Sequence, residues 1–278
     1  MEKKYRFTGE ASQEGSIILH RIQAVRGFGD IKAGEVGGWI ESEDNLSHEG
    51  NAWVDGTACV RGNARVCDNA CVGGNARVGD NACVRGNAYV GGTACVRGNA
   101  YVGGGAYVGG NARVDDNARV YSSARVDGTA YVYGNAHVGG GAYVGGIAFV
   151  EGNAKVRGNA CVDGNAYVCG NAYVCGNAFV EGNARVDGHA RVDSDARVDD
   201  GAHVSEIYHT LVIGQVGSRN DFVTFYRNEH GGISVSCGCF NGTLEQFLEQ
   251  VQRIHGGTKH ARVYQAAVEI AKLQIQDV

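Results

Sequence analysis

From Asn51 to Val204, alanine recurs at every sixth position (Ala52 to Ala202) and valine follows two residues behind it (Val54 to Val204), twenty-six times without a skip or an insertion. Alanine and valine two apart, each followed by a variable residue, give the period-two alternation of a strand with one buried face. Between these four-residue strands stands a pair that is mostly Gly-Asn or Asp-Asn. Both members tolerate the left-handed backbone region, so each pair is expected to turn a corner. The second member is Asn in sixteen of the twenty-six units, with Ile147 the one apolar exception, so the corner is solvent-facing and built for polar contacts. A short strand and a corner, repeated without variation, describe a parallel β-solenoid.

The outward positions set the size of one coil. Taken every eighteen residues, the position after valine reads Asp55, Gly73, Gly91, Gly109, Asp127, Gly145, Asp163, Glu181, Asp199, a column of glycine or acid alone. An eighteen-residue period means three hexapeptides per coil and a triangular cross-section. A sheet spacing of roughly 4.8 Å then implies a repeat about 40 Å long. Its interior is narrow, uniform and dry, so the core is expected to be structural and not a ligand cavity.

Val60-Arg-Gly-Asn-Ala-Arg65 and Val78-Gly-Asp-Asn-Ala-Cys83 resemble the hexapeptide repeat of left-handed β-helix proteins: aliphatic, small or polar, two turn residues, small, any. The resemblance implies an all-β solenoid, a left-handed parallel β-helix with an N-terminal cap and a small α+β C-terminal module. The segment Asp30-Ile-Lys-Ala-Gly-Glu-Val-Gly-Gly-Trp-Ile40, followed by Leu46-Ser-His-Glu-Gly-Asn-Ala-Trp-Val54, is similar to the opening module of a bacterial family of YdcK-like acetyltransferases. The chain also resembles phage and prophage hexapeptide-repeat proteins, which implies a phage or prophage setting.

A solenoid exposes strand edges at both ends unless they are capped. Three parts are expected: residues 1–50 as an N-terminal cap, 51–204 as the β-helix and 205–278 as the C-terminal module. Ile40 and Leu46 stand in phase with Ala52, so the helix is expected to begin irregularly near Trp39. In the tail, Phe222–Arg227 and Ile233–Phe240 read as a hairpin around Asn228-Glu-His-Gly-Gly232. Thr243-Leu-Glu-Gln246 has capping-box spacing, and Leu244, Phe247, Leu248, Val251 and Ile254 then share one face until Gly256-Gly257. A second helix follows Thr258, which makes the module ββαα. The net charge of −5 over 278 residues argues against nucleic-acid and membrane partners. The opening Met1-Glu-Lys-Lys is polar, no apolar run is long, and ten cysteines occur without an export signal; a bacterial host cytosol is the expected compartment.

The residue between alanine and valine points outward. One of its three columns runs Trp53, Cys71, Tyr89, Tyr107, Arg125, Tyr143, Cys161, Phe179, Arg197. An aromatic stripe on a polar surface suits association, so Trp53, Tyr89, Tyr107, Tyr143 and Phe179 are expected to pack against identical subunits as a trimer. Tyr131, Tyr167, Arg113 and Arg185, in the next column, would line a ligand cleft between subunits. The recurring Arg-Val-Asp triplets place opposite charges on one face, able to pair with coils above and below. Fourteen acidic against thirteen basic residues in the repeat give no phosphate-like stripe, so DNA mimicry is weakly founded. Eight cysteines occupy outward repeat positions without C-x-x-C spacing, and Cys237-Gly-Cys239 lies on a strand; no metal site and no cofactor are expected.

These features lead to a homo-oligomeric binding protein without enzymatic activity; the resemblance to phage repeat proteins implies that it acts on a bacterial host protein such as a defence component. Two alternatives follow from the same residues. Relatives of this fold are acyltransferases that use acetyl-CoA and a histidine base at a subunit boundary, for which His137 is the candidate; the repeat offers no loop insertion to wall such a site. A small-molecule sponge, holding nucleotides at subunit clefts, is the other.

Overall fold

The computed structural model describes residues 2–275. Met1, and residues 276–278 of the C-terminal module, lie outside the described residues. The chain divides into two compact units, Met1–Gly146 and Ile147–Val278.

In the first unit, β1 (Tyr5–Glu14) and β2 (Ile17–Ala24) form an antiparallel hairpin, and β2 pairs in turn with β3 (Val36–Ile40). Sixteen two-residue strands follow, from Trp53–Val54 to Tyr143–Val144. Those from Trp53–Val54 to Arg125–Val126 pair in parallel with the strand eighteen residues on: Trp53 with Cys71, Cys59 with Arg77, Arg65 with Cys83. Three hexapeptides therefore complete one coil, in three parallel sheets. Every repeat alanine and valine is buried, at no more than 2% exposure, which leaves no room inside for a ligand.

The strands are half as long as the alternation implies, because the corner takes more chain. The alanine N–H closes a four-residue turn onto the residue after valine, as in Ala58 N to Asp55 O at 3.1 Å. The first corner residue takes a positive φ, such as Gly56 at 62°, Gly62 at 64° and Asp68 at 61°, except in the last unit, where Gly201 does at 71°; none of the corner asparagines does. This is the pattern of a type II′ turn. Asparagine serves a different purpose. Its side-chain amide donates to the asparagine one coil on, as in Asn63 to Asn81 (3.0 Å), Asn81 to Asn99 (3.1 Å) and Asn99 to Asn117 (3.0 Å).

Each coil donates its N–H groups to the carbonyls of the next, for example Asp55 N to Val72 O at 2.8 Å. The first coil therefore presents bare carbonyls, and its cap must supply donors. Trp39 N and Glu41 N reach Ala58 O and Val60 O at 2.9 and 3.0 Å, and Ser47 N reaches Val66 O at 2.9 Å. The Asn45 amide donates to Gly62 O and Ala64 O, both at 2.9 Å. The Lys4 ammonium, wholly buried, donates to Ala52 O at 2.7 Å. The helix begins at β3, near Trp39, but out of the expected phase. Ile40 pairs with Val60 and Leu46 bridges Val66, so both stand under valines and not in the alanine column.

In the second unit ten more such strands run from Phe149–Val150 to His203–Val204. They pair by the same rule, as Tyr167 with Arg185 and Phe179 with Arg197. After a short 3-10 turn (Ile207–His209), four antiparallel strands follow: Thr210–Val216, Asp221–Arg227, Ile233–Cys237 and Phe240–Thr243. The expected hairpin forms its centre, and the first and last strands extend it, so the module is ββββαα. Helix α1 (Leu244–His255) starts at a reciprocal Thr243–Gln246 capping box, and α2 (Lys259–Ile275) follows. Val223, Phe225 and Val235 from the sheet bury against Phe247, Val251, Tyr264 and Val268 from the helices. This closing module meets the other edge of the stack with acceptors: Thr224 Oγ1 receives Arg197 N at 3.0 Å. No helix among the described residues is long and apolar enough to cross a membrane.

Candidate functional site

The aromatic column does not form one open apolar face. Trp53 is only 2% exposed, lying edge-on to Phe28 at 5.5 Å beneath the N-terminal cap. It is a cap residue, because β3 passes so close over it that a side chain at Gly37 would run into its ring. Tyr89, 38% exposed, stacks on Tyr107 at 5.5 Å, and the Arg125 guanidinium covers Tyr107 at 4.7 Å. Tyr143 is half-buried and pairs with Arg125 in register. In the second unit Arg197 lies over Phe179 at 5.1 Å. The four residues named for a ligand cleft resolve into two stacked pairs, Arg113 over Tyr131 at 5.5 Å and Arg185 over Tyr167 at 5.1 Å.

Charge pairing is mostly local. Arg185 and Arg191 bind Asp187 and Asp193 two residues on, both at 2.6 Å, and Arg125 binds Asp127 likewise. Pairing between coils occurs at Arg97–Asp115 (3.0 Å) and Arg85–Asp68 (3.2 Å). His137 is half-buried and edge-on to Tyr121 at 6.2 Å. Burial pushes the repeat thiols Cys59, Cys67, Cys71, Cys83, Cys169 and Cys175 above their ordinary range, and Cys161 to about 11. Such thiols stay protonated near neutrality and are poor nucleophiles.

The recessed surfaces of the second unit gather around its C-terminal module. A cleft of about 440 Å³ opens between the Phe179–Arg197 sheet and the strands Asp221–Arg227 and Ile233–Cys237; Asp195, Thr224 and Ser236 contribute to its walls. A smaller recess of about 110 Å³ beside it adds Glu181, Asp199 and Asn241. Across the Gly238–Cys239 turn lies a third cavity, of about 240 Å³, with Ser218, Arg219, Cys237, His255 and Tyr264 on its lining. Cys237, half-buried, is also pushed up by desolvation. Cys239 falls in the turn after Ile233–Cys237 and not on the strand as expected; it is exposed and borders two of these recesses.

Sequence reasoning missed Ser218, Arg219 and His255, and read Tyr264 only as a packing residue. They come from the turn after Val216, the end of α1 and the middle of α2, separations that no spacing motif marks. One local signal was present: Val216-Gly-Ser-Arg-Asn-Asp221, with positive φ at Gly217 and Asn220, is a tight turn that carries Arg219.

No family model matches the chain. Over 60 residues it is 37% identical to a protein of Escherichia coli (strain K12) described as uncharacterized acetyltransferase YdcK. The match covers 19% of this chain and 18% of that relative, so the chain spans under a fifth of the relative's length. This finding corrects the expectation that the chain is not an enzyme, since the relative carries the name of one. That expectation rested on a repeat without loop insertions, whereas the recesses of the second unit are walled by the C-terminal module. The unbroken hexapeptides, the three-sheet solenoid they build and this partial match fit the hexapeptide-repeat left-handed β-helix superfamily.

Proposed function

We propose that this protein acts by binding: its β-helix associates with further copies of itself, and unit two presents the recognition surface for a partner protein. The observation that carries this reading is the placement of chemistry. The interior of the repeat is filled by alanine and valine. The large cleft instead brings Arg197, stacked on Phe179, together with Asp195, Asp221 and the two central strands of a four-stranded sheet. A pre-positioned arginine on an aromatic ring, flanked by carboxylates, suits a polar protein segment with an apolar anchor. The expected partner is a bacterial host protein, consistent with the resemblance to phage repeat proteins, and the expected assembly is a trimer. Retention of one host protein by the tagged chain, and its loss in Arg197→Glu, tests the recognition surface. Light scattering tests the assembly: a monomer at micromolar concentration would refute it.

A second reading is acyl transfer from acetyl-CoA, favoured by the name of the E. coli relative. His137 is the candidate base within the repeat. Its test is acetyl-CoA turnover in the wild type against His137→Ala; turnover that survives the substitution removes His137 from the reaction. The sponge reading, nucleotide held between subunits, is separated from both by mass spectrometry of small molecules released on heating.

A further inference from the structure

The cavity of about 240 Å³ in the C-terminal module sets an aromatic wall opposite an arginine. On one side Phe240, Phe247 and Tyr264 form a ring wall, with Phe240 and Phe247 centroids 5.4 Å apart and Phe247 edge-on to Tyr264 at 5.5 Å. His255 continues that wall, 5.9 Å from Tyr264. On the other side stands Arg219, placed against the Gly238 turn, where an added Cβ would lie 3.4 Å from its Nη1. Arg219 makes no ion pair among the described residues. Beside it Ser218 Oγ and His255 Nε2 lie 3.4 Å apart, a pair able to donate one further hydrogen bond.

Two features bear on the sign of a ligand. The one carboxylate on the lining, Asp221, is turned to its own strand, accepting from Phe222 N at 2.8 Å. Helix α1 ends at the cavity, and a helix C-terminus disfavours anions. Here two of its last four carbonyls are occupied: Gln252 O receives Gly256 N at 3.0 Å, and His255 O receives the Thr258 hydroxyl at 2.7 Å. Arg219 is the one arginine or lysine on the lining, and its planar fork matches a carboxylate. The volume, about 240 Å³, falls just under the range of drug-sized sites, about 300–1,000 Å³. It admits one ring and a short polar group.

We propose that this cavity binds a small aromatic acid, its ring against Phe240, Phe247 and Tyr264 and its carboxylate held by Arg219 with the Ser218–His255 pair. The site shares Asp221 and Gly238 with the protein-recognition cleft, but Arg219 lines this cavity and not that cleft, so the two are tested separately.

The probe is benzoate, titrated into the full-length chain and followed by ligand-observed NMR and by shifts of the protein amides. Benzamide, the neutral analogue, and acetate, which lacks the ring, are the comparisons. Saturable benzoate binding is expected, with benzamide weaker by about tenfold or more, the loss of one charge-assisted contact, and acetate weaker by about tenfold or more, the loss of the buried ring. Arg219→Gln, an exposed turn substitution, should weaken benzoate by a similar factor and leave benzamide unchanged. No saturable benzoate binding at millimolar concentration overturns the proposal. So does equal binding by Arg219→Gln, or binding of benzamide as tight as that of benzoate.

Discussion

Replacing Gly92 by alanine tests how the corners of the repeat stack. Gly92 has φ 64°, and an added Cβ would stand 2.6 Å from Gly110 O, one coil on. Holding a residue with a Cβ in the left-handed region costs about 1–2 kcal/mol. The overlap also pushes on a carbonyl that already accepts Thr93 N at 2.8 Å, and weakening that bond adds about 0.5–1 kcal/mol. Alanine should thus destabilise by about 2 kcal/mol. Aspartate should be milder, because the protein already uses it at such corners. Asp68, Asp80 and Asp116 sit at φ 61°, 58° and 57° and accept from Gly86, Gly98 and Gly134 N–H at 3.0, 3.0 and 3.1 Å. Gly92→Asp recovers that bond to Gly110 N–H and should lose only about 1 kcal/mol. Urea unfolding followed by circular dichroism gives both values. Alanine equal to wild type, or aspartate worse than alanine, would refute the reasoning.

Asn45→Leu should loosen the N-terminal cap by about 3–5 kcal/mol, since it strips donors from Gly62 O and Ala64 O and the acceptor of Glu41 N and Ser42 N; early hydrogen exchange confined to the cap and first coil is the readout. Lys4 is lowered to about 8 by burial and then by Arg26. The folded pKa lies below the unfolded one near 10.5, so wild-type stability relative to Lys4→Met should rise between those pH values, by up to about 3 kcal/mol; an unchanged difference in melting temperature across that window contradicts this. Cys161 is raised to about 11, mainly by desolvation and then by Asp163 and Glu181. Its contribution relative to Cys161→Ala is therefore complete below pH 9 and should fall away as the pH rises to 11, which thermal melts at fixed ionic strength can follow.

The coil period was legible because one side-chain pattern repeats without error, and the structure pairs residues eighteen apart accordingly. The pattern also holds a rule that only the corners explain. Asp68, Asp80, Asp116, Ser122 and Ser194, which all carry a Cβ at positive φ, each follow a glycine eighteen residues earlier. What the repeat could not give was the division of labour between Gly and Asn, since both tolerate the same backbone region and only geometry distinguishes them. Trp53 was misread for a related reason: alternation says that it points away from the core, but not that β3 and Phe28 will cover it. The tail was legible where local signals are strong, as at the Thr243–Gln246 box, and not at Thr210–Val216, which shows no clean alternation. The cavity holding Arg219 was invisible, because four separated segments meet there only after folding.

The binding account is tested most directly by capture from bacterial lysate with tagged wild type, Arg197→Glu and Tyr89→Ser, each quantified by mass spectrometry against the bait. The account predicts one host protein near stoichiometric amounts on wild type, lost from Arg197→Glu and retained by Tyr89→Ser, which touches the self-association face. Equal retention by wild type and Arg197→Glu, or no protein near stoichiometry on any of the three, would contradict it.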